Sequence, residues 1–337
     1  MFEEPSSVFC GGAKPHAYIT NHMTRQQRPV LSLLALFIFH LPVIQPSLIK
    51  IVLAILAICS HPSQLIPLSG PYTPRMSIPS RQKAVVFGTT GNSDRNGQVK
   101  TDYEYPVPTA EKGELLIRNT LCGVNSVDTY YRAGFCTASS PIVLGYEAVG
   151  TIVALGPGTR WRNFKVGDRV LWVHKAGYAQ YSAVPLDNII KVPKGVLDHD
   201  AIGGFLNGMT ALALTKELYK VNKGEWVLLH TTTSNIGLLM VQILKSIGAK
   251  VIGTAKGSAH LRIVKSLGAD AVIKYADYIE SGWVPKVKEI TKGEGVSVVY
   301  DFVGKDTWKG SLDAVKENGT VLWCGTFSGP VPPIPQK

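Results

Sequence analysis

The strongest periodic signal lies in residues 225–254. A short apolar run at 226–229 enters a loop of small polar residues at 231–235; an amphipathic segment follows over 236–247, and a second apolar run occupies 251–254. Short runs without alternation suit strands buried on both faces, and a 3.6-residue period suits a helix laid across them. The pattern predicts a strand, loop, helix, strand unit with parallel strands. Further helices are expected at 258–267, 278–290 and 306–317, and further strands at 271–273, 296–302 and 320–324, giving five strands from 226 onward. A doubly wound dinucleotide sheet has about six. The chain ends instead in VPPIPQK, so this half is expected to be truncated, with a proline-rich end at 331–337.

Residues 82–200 carry a different pattern. Short β segments at 83–88, 114–121, 150–155, 169–173, 178–184 and 189–192 are separated by a Gly/Asn/Ser-rich stretch at 89–98, by Gly156-Pro157-Gly158 and by Val166-Gly167-Asp168. Proline presets φ and glycine supplies positive φ, so these clusters read as turns. An antiparallel, barrel-like half is expected, joined to the sheet by a helical crossover at 201–219.

The first 75 residues do not share either pattern. Apolar runs at 30–39 and 51–59 are interrupted by His40, Pro42, Gln45, Pro46, Ser47 and Lys50. Each is too short to span a bilayer, and together they make a proline-broken segment. The long leader with Glu3 and Glu4 matches a secretory signal poorly. Three readings stay open: a non-native extension, a membrane anchor through 30–59, and a targeting segment. Met76 opens MSIPSRQKAVVF, which reads as a start directly before a strand.

Composition narrows the class. The 337 residues, 45% hydrophobic and 18% charged, suffice for two domains with full cores. The net charge of +11 comes without an aromatic-interleaved basic run, which favours a solvated basic surface over a nucleic-acid patch. Cys10, Cys59, Cys122, Cys136 and Cys324 are odd in number and scattered, which argues for a reducing, cytoplasmic compartment and against a disulfide framework.

The loop at 231–235 is where chemistry is expected. A helix N-terminus presents unpaired N–H groups and the positive end of the helix dipole, a site for pyrophosphate. A dinucleotide fingerprint uses glycines there, but Ser234 and Asn235 fill two of the places and leave Gly237 alone. Serine is small and asparagine tolerates positive φ, so the turn can survive. Residues alone leave nucleotide binding and a ligand-free structural unit both open.

Seven collinear motifs add to this: CGVNSVDTYYRAG (122–134), LGYEAVG (144–150), VGDRV (166–170), FLNGMTALAL (205–214), HTTTSNIGL (230–238), GAKVIGT (248–254) and YDFVGKDTW (300–308). Over about 82–330 the chain resembles the zinc-independent, zeta-crystallin-like quinone oxidoreductases of the medium-chain dehydrogenase/reductase superfamily. The resemblance implies an α/β protein: a GroES-like β-barrel catalytic domain over 76–200, a Rossmann-type doubly wound parallel sheet over 201–330, NADPH as cofactor, and a cleft where a quinone or enone accepts hydride.

Zinc-dependent relatives place Cys and His ligands in the motifs around 125 and 146. Here Asn125 and Tyr146 stand there, neither a good Zn²⁺ ligand, and there is no four-cysteine lobe, so no metal is expected. After the second strand, Gly253-Thr254-Ala255-Lys256 leads to His260 and Arg262 with no acidic residue, which favours a 2′-phosphate. A lysine common in the family is replaced by His260. The resemblance further implies that Tyr275 contacts phosphate, that Ser234, Asn235, Ile236, Gly237 and Thr254 hold the cofactor, and that Thr210, Val303, Gly304 and Gly325 complete its lining. It assigns Asn125 to hydrogen bonding and Tyr130 to positioning or proton donation, with Ser126, Val127, Asp128 and Thr129 lining the nicotinamide. The residue-level alternative is a polar turn with Asp128 as an N-cap. A second aromatic common in the family is missing, since Phe135-Cys136 stands there.

Two classes of function follow. One is an NADPH:quinone reductase or a close enoyl or enone reductase. The other is a non-catalytic relative acting as a binding protein, with RNA as the partner. The family is commonly a homodimer through the sheet edge, which a chain without a last strand would not build in the same way.

Overall fold

The computed structural model describes residues 77–88, 99–132, 141–159, 163–255, 257–274 and 282–334. The chain divides into two compact units at Leu206/Asn207.

The first unit contains β1 (Arg81–Phe87), β2 (Val99–Pro106), β3 (Glu114–Cys122), α1 (Val127–Arg132), β4 (Ile142–Val143), β5 (Glu147–Leu155), β6 (Arg169–Val173), β7 (Tyr181–Pro185), β8 (Ile189–Lys191) and α2 (Asp198–Gly204). Five strands form an antiparallel sheet in the order β7-β3-β5-β6-β8, and β2-β1-β4 form a smaller antiparallel one. Leu115, Ile117, Ala148, Ile152, Val170, Trp172, Val184 and Ile189 make the core. Irregularities in β3 after Leu116 and after Asn119 bend it as bulges do.

Two expectations shift here. The strand expected from 178 starts at Tyr181, because Tyr178 N–H donates to Leu144 O, its carbonyl accepts from Val85 N–H, and Ala179 bridges to Ala84. This stretch belongs to the edge of the smaller sheet. Strand β2 escaped the sequence pattern since VKTDYEYP is mostly exposed and lies at a sheet edge, where no apolar alternation is required. The expected turn at 89–98 lies outside the described residues.

The second unit opens with α3 (Leu206–Leu212) and a π-helical turn at Ala213–Leu218. It alternates β9 (Trp226–Leu229), α4 (Asn235–Ile247), β10 (Lys250–Ala255), α5 (Ser258–Ser266), β11 (Ala271–Lys274), α6 (Trp283–Ile290), β12 (Val296–Asp301), α7 (Trp308–Ala314) and β13 (Val315–Trp323). The five strands are parallel in the order β11-β10-β9-β12-β13. Alternate residues serve opposite faces. Val227, Leu229, Val251, Val298 and Tyr300 pack with Met240, Val241 and Leu244 of α4, whereas Leu228, Ile252, Ile273, Val299 and Val321 pack with Trp283 and Val287 of α6 and Ala314 of α7. Helices therefore cover both faces, which is why the run 226–229 needed no polar alternation.

The helix expected at 306–317 ends at Ala314. Val315 pairs with Val296 and enters the same cluster, so strand pairing overrides the helical propensity of residues 315–317. Of the helix expected at 278–290, residues 283–290 are helical, and 275–281 lie outside the described residues. No helix among the described residues is long and apolar enough to cross a membrane, and the segment 30–59 lies outside them.

Gly150 in β5 faces β3 so closely that an added Cβ would lie 2.2 Å from the Arg118 carbonyl oxygen. Gly150→Ala is expected to lower unfolding free energy by about 1–3 kcal/mol in denaturant titrations. Gly203→Ala in α2, where nothing lies within 4 Å of the added atom, is expected to stabilise by up to about 1 kcal/mol.

Candidate active site

The loop from β9 to α4 is built around Ser234. As the N-cap of α4, its Oγ accepts from Gly237 N–H at 3.1 Å, and its carbonyl accepts from Leu238 N–H at 2.9 Å. Its own N–H and Oγ–H both donate to Thr231 O, at 3.0 and 2.9 Å. Among the described residues, the N–H groups of Asn235 and Ile236 meet no acceptor, so two donors at the N-terminus of a 13-residue helix stay available to an anion. Gly237 is buried against the loop, where an added Cβ would lie 2.4 Å from Thr231 O.

The backbone twist does not fall where the sequence suggested. Ser234 has φ −73° and Asn235 begins the helix, while Thr231 takes the left-handed conformation with φ 55°. Asparagine's tolerance of positive φ is therefore not used. A β-branched residue in that region carries roughly 1–3 kcal/mol of strain, and the Thr231 Oγ1 is buried without a hydrogen-bond partner among the described residues.

Behind the loop lies a buried polar network. Asp301, at the end of β12, accepts from Val303 N–H (2.8 Å), Gly304 N–H (3.0 Å), Thr307 Oγ (2.8 Å) and Ser311 Oγ (2.7 Å). Because Ser311 donates to Asp301, it can only accept from His230 Nε2, 3.3 Å away. His230 Nδ1 lies 3.1 Å from Thr254 Oγ. Burial pushes His230 below its ordinary pKa against the opposing charge of Asp301 and so favours the neutral imidazole, whose Nδ1 accepts from Thr254 Oγ. Thr232 donates N–H and Oγ–H to Thr254 O, at 3.1 and 2.8 Å.

The residues expected to hold cofactor are distributed as follows. Thr254 is buried, with its hydroxyl engaged by His230. Val303 and Gly304 are fixed by Asp301, and Gly304 has φ 89°. A Cβ at Gly325 would lie 2.7 Å from Phe302 O. Thr210 is half-buried on α3, Ile236 half-buried on α4, and His260 and Arg262 are exposed on α5. Lys256 and Tyr275 lie outside the described residues, as do Phe135 and Cys136.

In the first unit, Asn125 precedes α1 and is held by two carboxylates. Asp128 Oδ2 accepts from Asn125 N–H at 2.9 Å and from Tyr178 OH at 2.6 Å, and Glu147 Oε1 accepts from Asn125 Nδ2 at 2.8 Å. Asp128 thus sits within the first turn of α1 and reaches back, rather than capping it from in front. Its carboxyl is raised by burial, against the bonds from Tyr178 and Asn125. Ser126 accepts from Thr129 N–H at 3.0 Å and Thr129 Oγ at 2.7 Å; both residues are exposed and Val127 is half-buried. Tyr130 lies on α1, and its side chain is outside the description. Cys122 donates Sγ–H to Gly177 O, and burial at the sulfur, with Asp128 and Glu147 adding, pushes its thiol up to about 11, although the residue as a whole is exposed. Sequence reading missed Glu147, Tyr178, His230, Asp301 and Ser311. A signal for Glu147 exists: it is a lone charge opening the otherwise apolar run EAVGTIVAL.

At the positions where zinc-dependent relatives carry ligands, the Asn125 amide donates to Glu147 and Tyr146 is half-buried. No group of three or more His, Cys, Asp or Glu among the described residues is disposed to hold a metal ion.

Two family models match the chain, zinc-binding dehydrogenase over residues 235–337 and alcohol dehydrogenase GroES-like domain over 111–194. A probable quinone oxidoreductase of Schizosaccharomyces pombe is 38% identical over 232 residues, 68% of this chain and 69% of that protein. A 2-haloacrylate reductase of Burkholderia is 38% identical over 242 residues, 68% of this chain and 70% of that protein. The solved structure of Escherichia coli quinone oxidoreductase complexed with NADPH aligns with TM-score 0.68 at 31% identity, over 75% of this chain and 76% of that one. A GroES-like antiparallel unit followed by a Rossmann-type parallel sheet defines the medium-chain dehydrogenase/reductase class. The chain belongs to the quinone oxidoreductase family of that superfamily.

Glu147 also makes stability depend on pH. Burial, with the charge of Asp128 adding and the bonds from Asn125 and Leu206 opposing, pushes its carboxyl from 4.5 up to about 7. A carboxyl with a raised folded pKa binds its proton more tightly in the folded state, so its contribution is fully present below 4.5 and lost as pH rises through 7. The lowered pKa of His230 works the other way, withdrawing stability as pH falls below 6.5, and is common to any variant at 147. Subtracting the unfolding free energies of Glu147→Gln from those of the natural chain, measured by denaturant titration, should therefore isolate about 3 kcal/mol of decline between pH 4.5 and 7.

Proposed function

We propose that this chain is an NADPH-dependent, zinc-independent reductase that delivers hydride to a quinone or a related enone. The observation that carries the reading is the pair of unaccepted N–H groups of Asn235 and Ile236 at the start of α4, on a helix that Gly237 brings into backbone contact with its loop. Two amide donors and a helix dipole fit a pyrophosphate. The Asn235 and Ile236 amides, set in place by the Ser234 cap, would hold it, with Lys256, His260, Arg262 and Tyr275 toward a 2′-phosphate and Thr210, Thr254, Val303, Gly304 and Gly325 along the rest.

The bound cofactor supplies the hydride. The work left to the chain is alignment, exclusion of water and a proton for the reduced product. Asn125, fixed through backbone and side chain, is suited to orient the nicotinamide or the acceptor, with Ser126, Val127, Asp128 and Thr129 lining the same stretch and Tyr130 positioning the acceptor or donating the proton. No Lewis acid is needed in this scheme, and Asn125 is a poor Zn²⁺ ligand. The domain assignment that goes with this is a catalytic unit over 76–200 and a cofactor unit over 201–330, in a cytoplasmic enzyme. The relative named 2-haloacrylate reductase favours an enone-type acceptor as the second reading.

Fluorescence titration of the full chain with NADPH is expected to saturate below about 1 mM, a range typical of cofactor and substrate sites. Absence of binding at that concentration would eliminate the reductase reading. With binding present, comparing NADPH oxidation by a quinone and by a 2-substituted acrylate decides the acceptor class, and a metal chelator is expected to leave the rate unchanged.

A further inference from the structure

We propose that Glu147 is a positioning residue for hydride transfer, acting through Asn125 by holding its side-chain amide in one orientation; the inference rests on the reductase reading above. Glu147 is 1% exposed, and its Oε1 accepts from Asn125 Nδ2 at 2.8 Å while Oε2 accepts from Leu206 N–H at 3.4 Å. The two ends of an asparagine amide are nearly the same shape, and a neutral partner would accept either. In its ionised form, above about pH 7, the carboxyl only accepts, so it selects the nitrogen end and turns Oδ1 to the opposite side. The backbone of the same residue is fixed independently by Asp128, itself 9% exposed and anchored by Tyr178.

The arrangement is expensive for a purely structural device. Neither carboxylate forms an ion pair with a described Lys, Arg or His. Burying charges without a cation is unfavourable, and apolar residues of equal volume would serve stability better. Burial also raises both carboxyls above their ordinary range. Such costs gather where geometry matters for function. Gly123 supports the same reading, since a Cβ there would lie 2.1 Å from Glu147 Oε1 and 2.6 Å from its Cδ. The absent side chain at 123 makes room for the carboxyl to reach Asn125.

The test is a double-mutant cycle on the full chain, reading kcat and acceptor KM by NADPH oxidation and NADPH affinity by fluorescence. Glu147→Met removes the acceptor at similar volume and is expected to lower kcat about tenfold or more, with NADPH affinity within about threefold. Glu147→Gln, a neutral amide of the same volume that can meet either end of the Asn125 amide, loses the selection and is expected to lower kcat about threefold or more. In an Asn125→Ala background, Glu147→Met should lower kcat by less than about twofold. Equal losses in both backgrounds, or a Glu147→Gln with the kcat of the natural chain, would overturn the proposal. Should Glu147→Met not fold, Gly123→Ala displaces the carboxyl without deleting it, and its loss of kcat must likewise vanish when Asn125 is alanine. A natural chain that binds and oxidises no NADPH overturns the reductase reading and this proposal with it, an outcome separate from any result of the cycle.

Discussion

The contact between the first turn of α4 and the backbone of Thr231 and Thr232 sets the geometry of the second unit. At Gly237 the two backbones meet with no room for a side chain, and the distance from helix to strand is fixed there. From that contact follow the unaccepted amides of Asn235 and Ile236, the left-handed turn at Thr231 and the tight seating of Met240, Val241 and Leu244 on the sheet. The close approach also explains how a loop with Ser234 and Asn235 in place of glycines still forms. Serine acts as a cap, asparagine starts the helix, and the conformational burden moves three residues upstream.

The first unit solves a different problem with different means. Among its described residues the helices that accompany the bent antiparallel sheet are short, and the α1 region depends on side chains for order. Asp128 and Glu147 provide it by gripping one asparagine from two elements. In the second unit the corresponding burden falls on Asp301, whose four donors hold the Val303–Gly304 turn. In both units a buried carboxylate surrounded by neutral donors does what a salt bridge would do at a surface, and holds its partners in narrower geometry.

Much of the fold was legible because periodicity reports burial. The run WVLL is apolar on both faces because both faces are covered, and residues 236–247 repeat at helical spacing because one stripe is covered. Where burial is slight, the signal vanishes: β2 is an exposed edge. Where strand pairing competes with propensity, as at Val315, the local pattern misleads. The candidate site was partly legible. Asn125 and Gly237 announced themselves through motif and spacing. Glu147 and Asn125 are 22 residues apart, and His230 and Ser311 are 81 apart, so their meetings are products of topology that no local pattern carries. Thr231 is a similar case, since its positive φ is imposed by what surrounds it and runs against its own preference.

The gap left at Gly123 has an evolutionary corollary. The hydrogen that stands in place of a side chain there and the long acid at 147 occupy one shared volume. Neither position can drift alone: a descendant that gained a methyl group at 123 would have to shorten 147, and would lose its grip on the neighbouring amide in doing so. The two sites should therefore covary among relatives, and a lineage that broke the pairing would have had to find another way to hold that asparagine still.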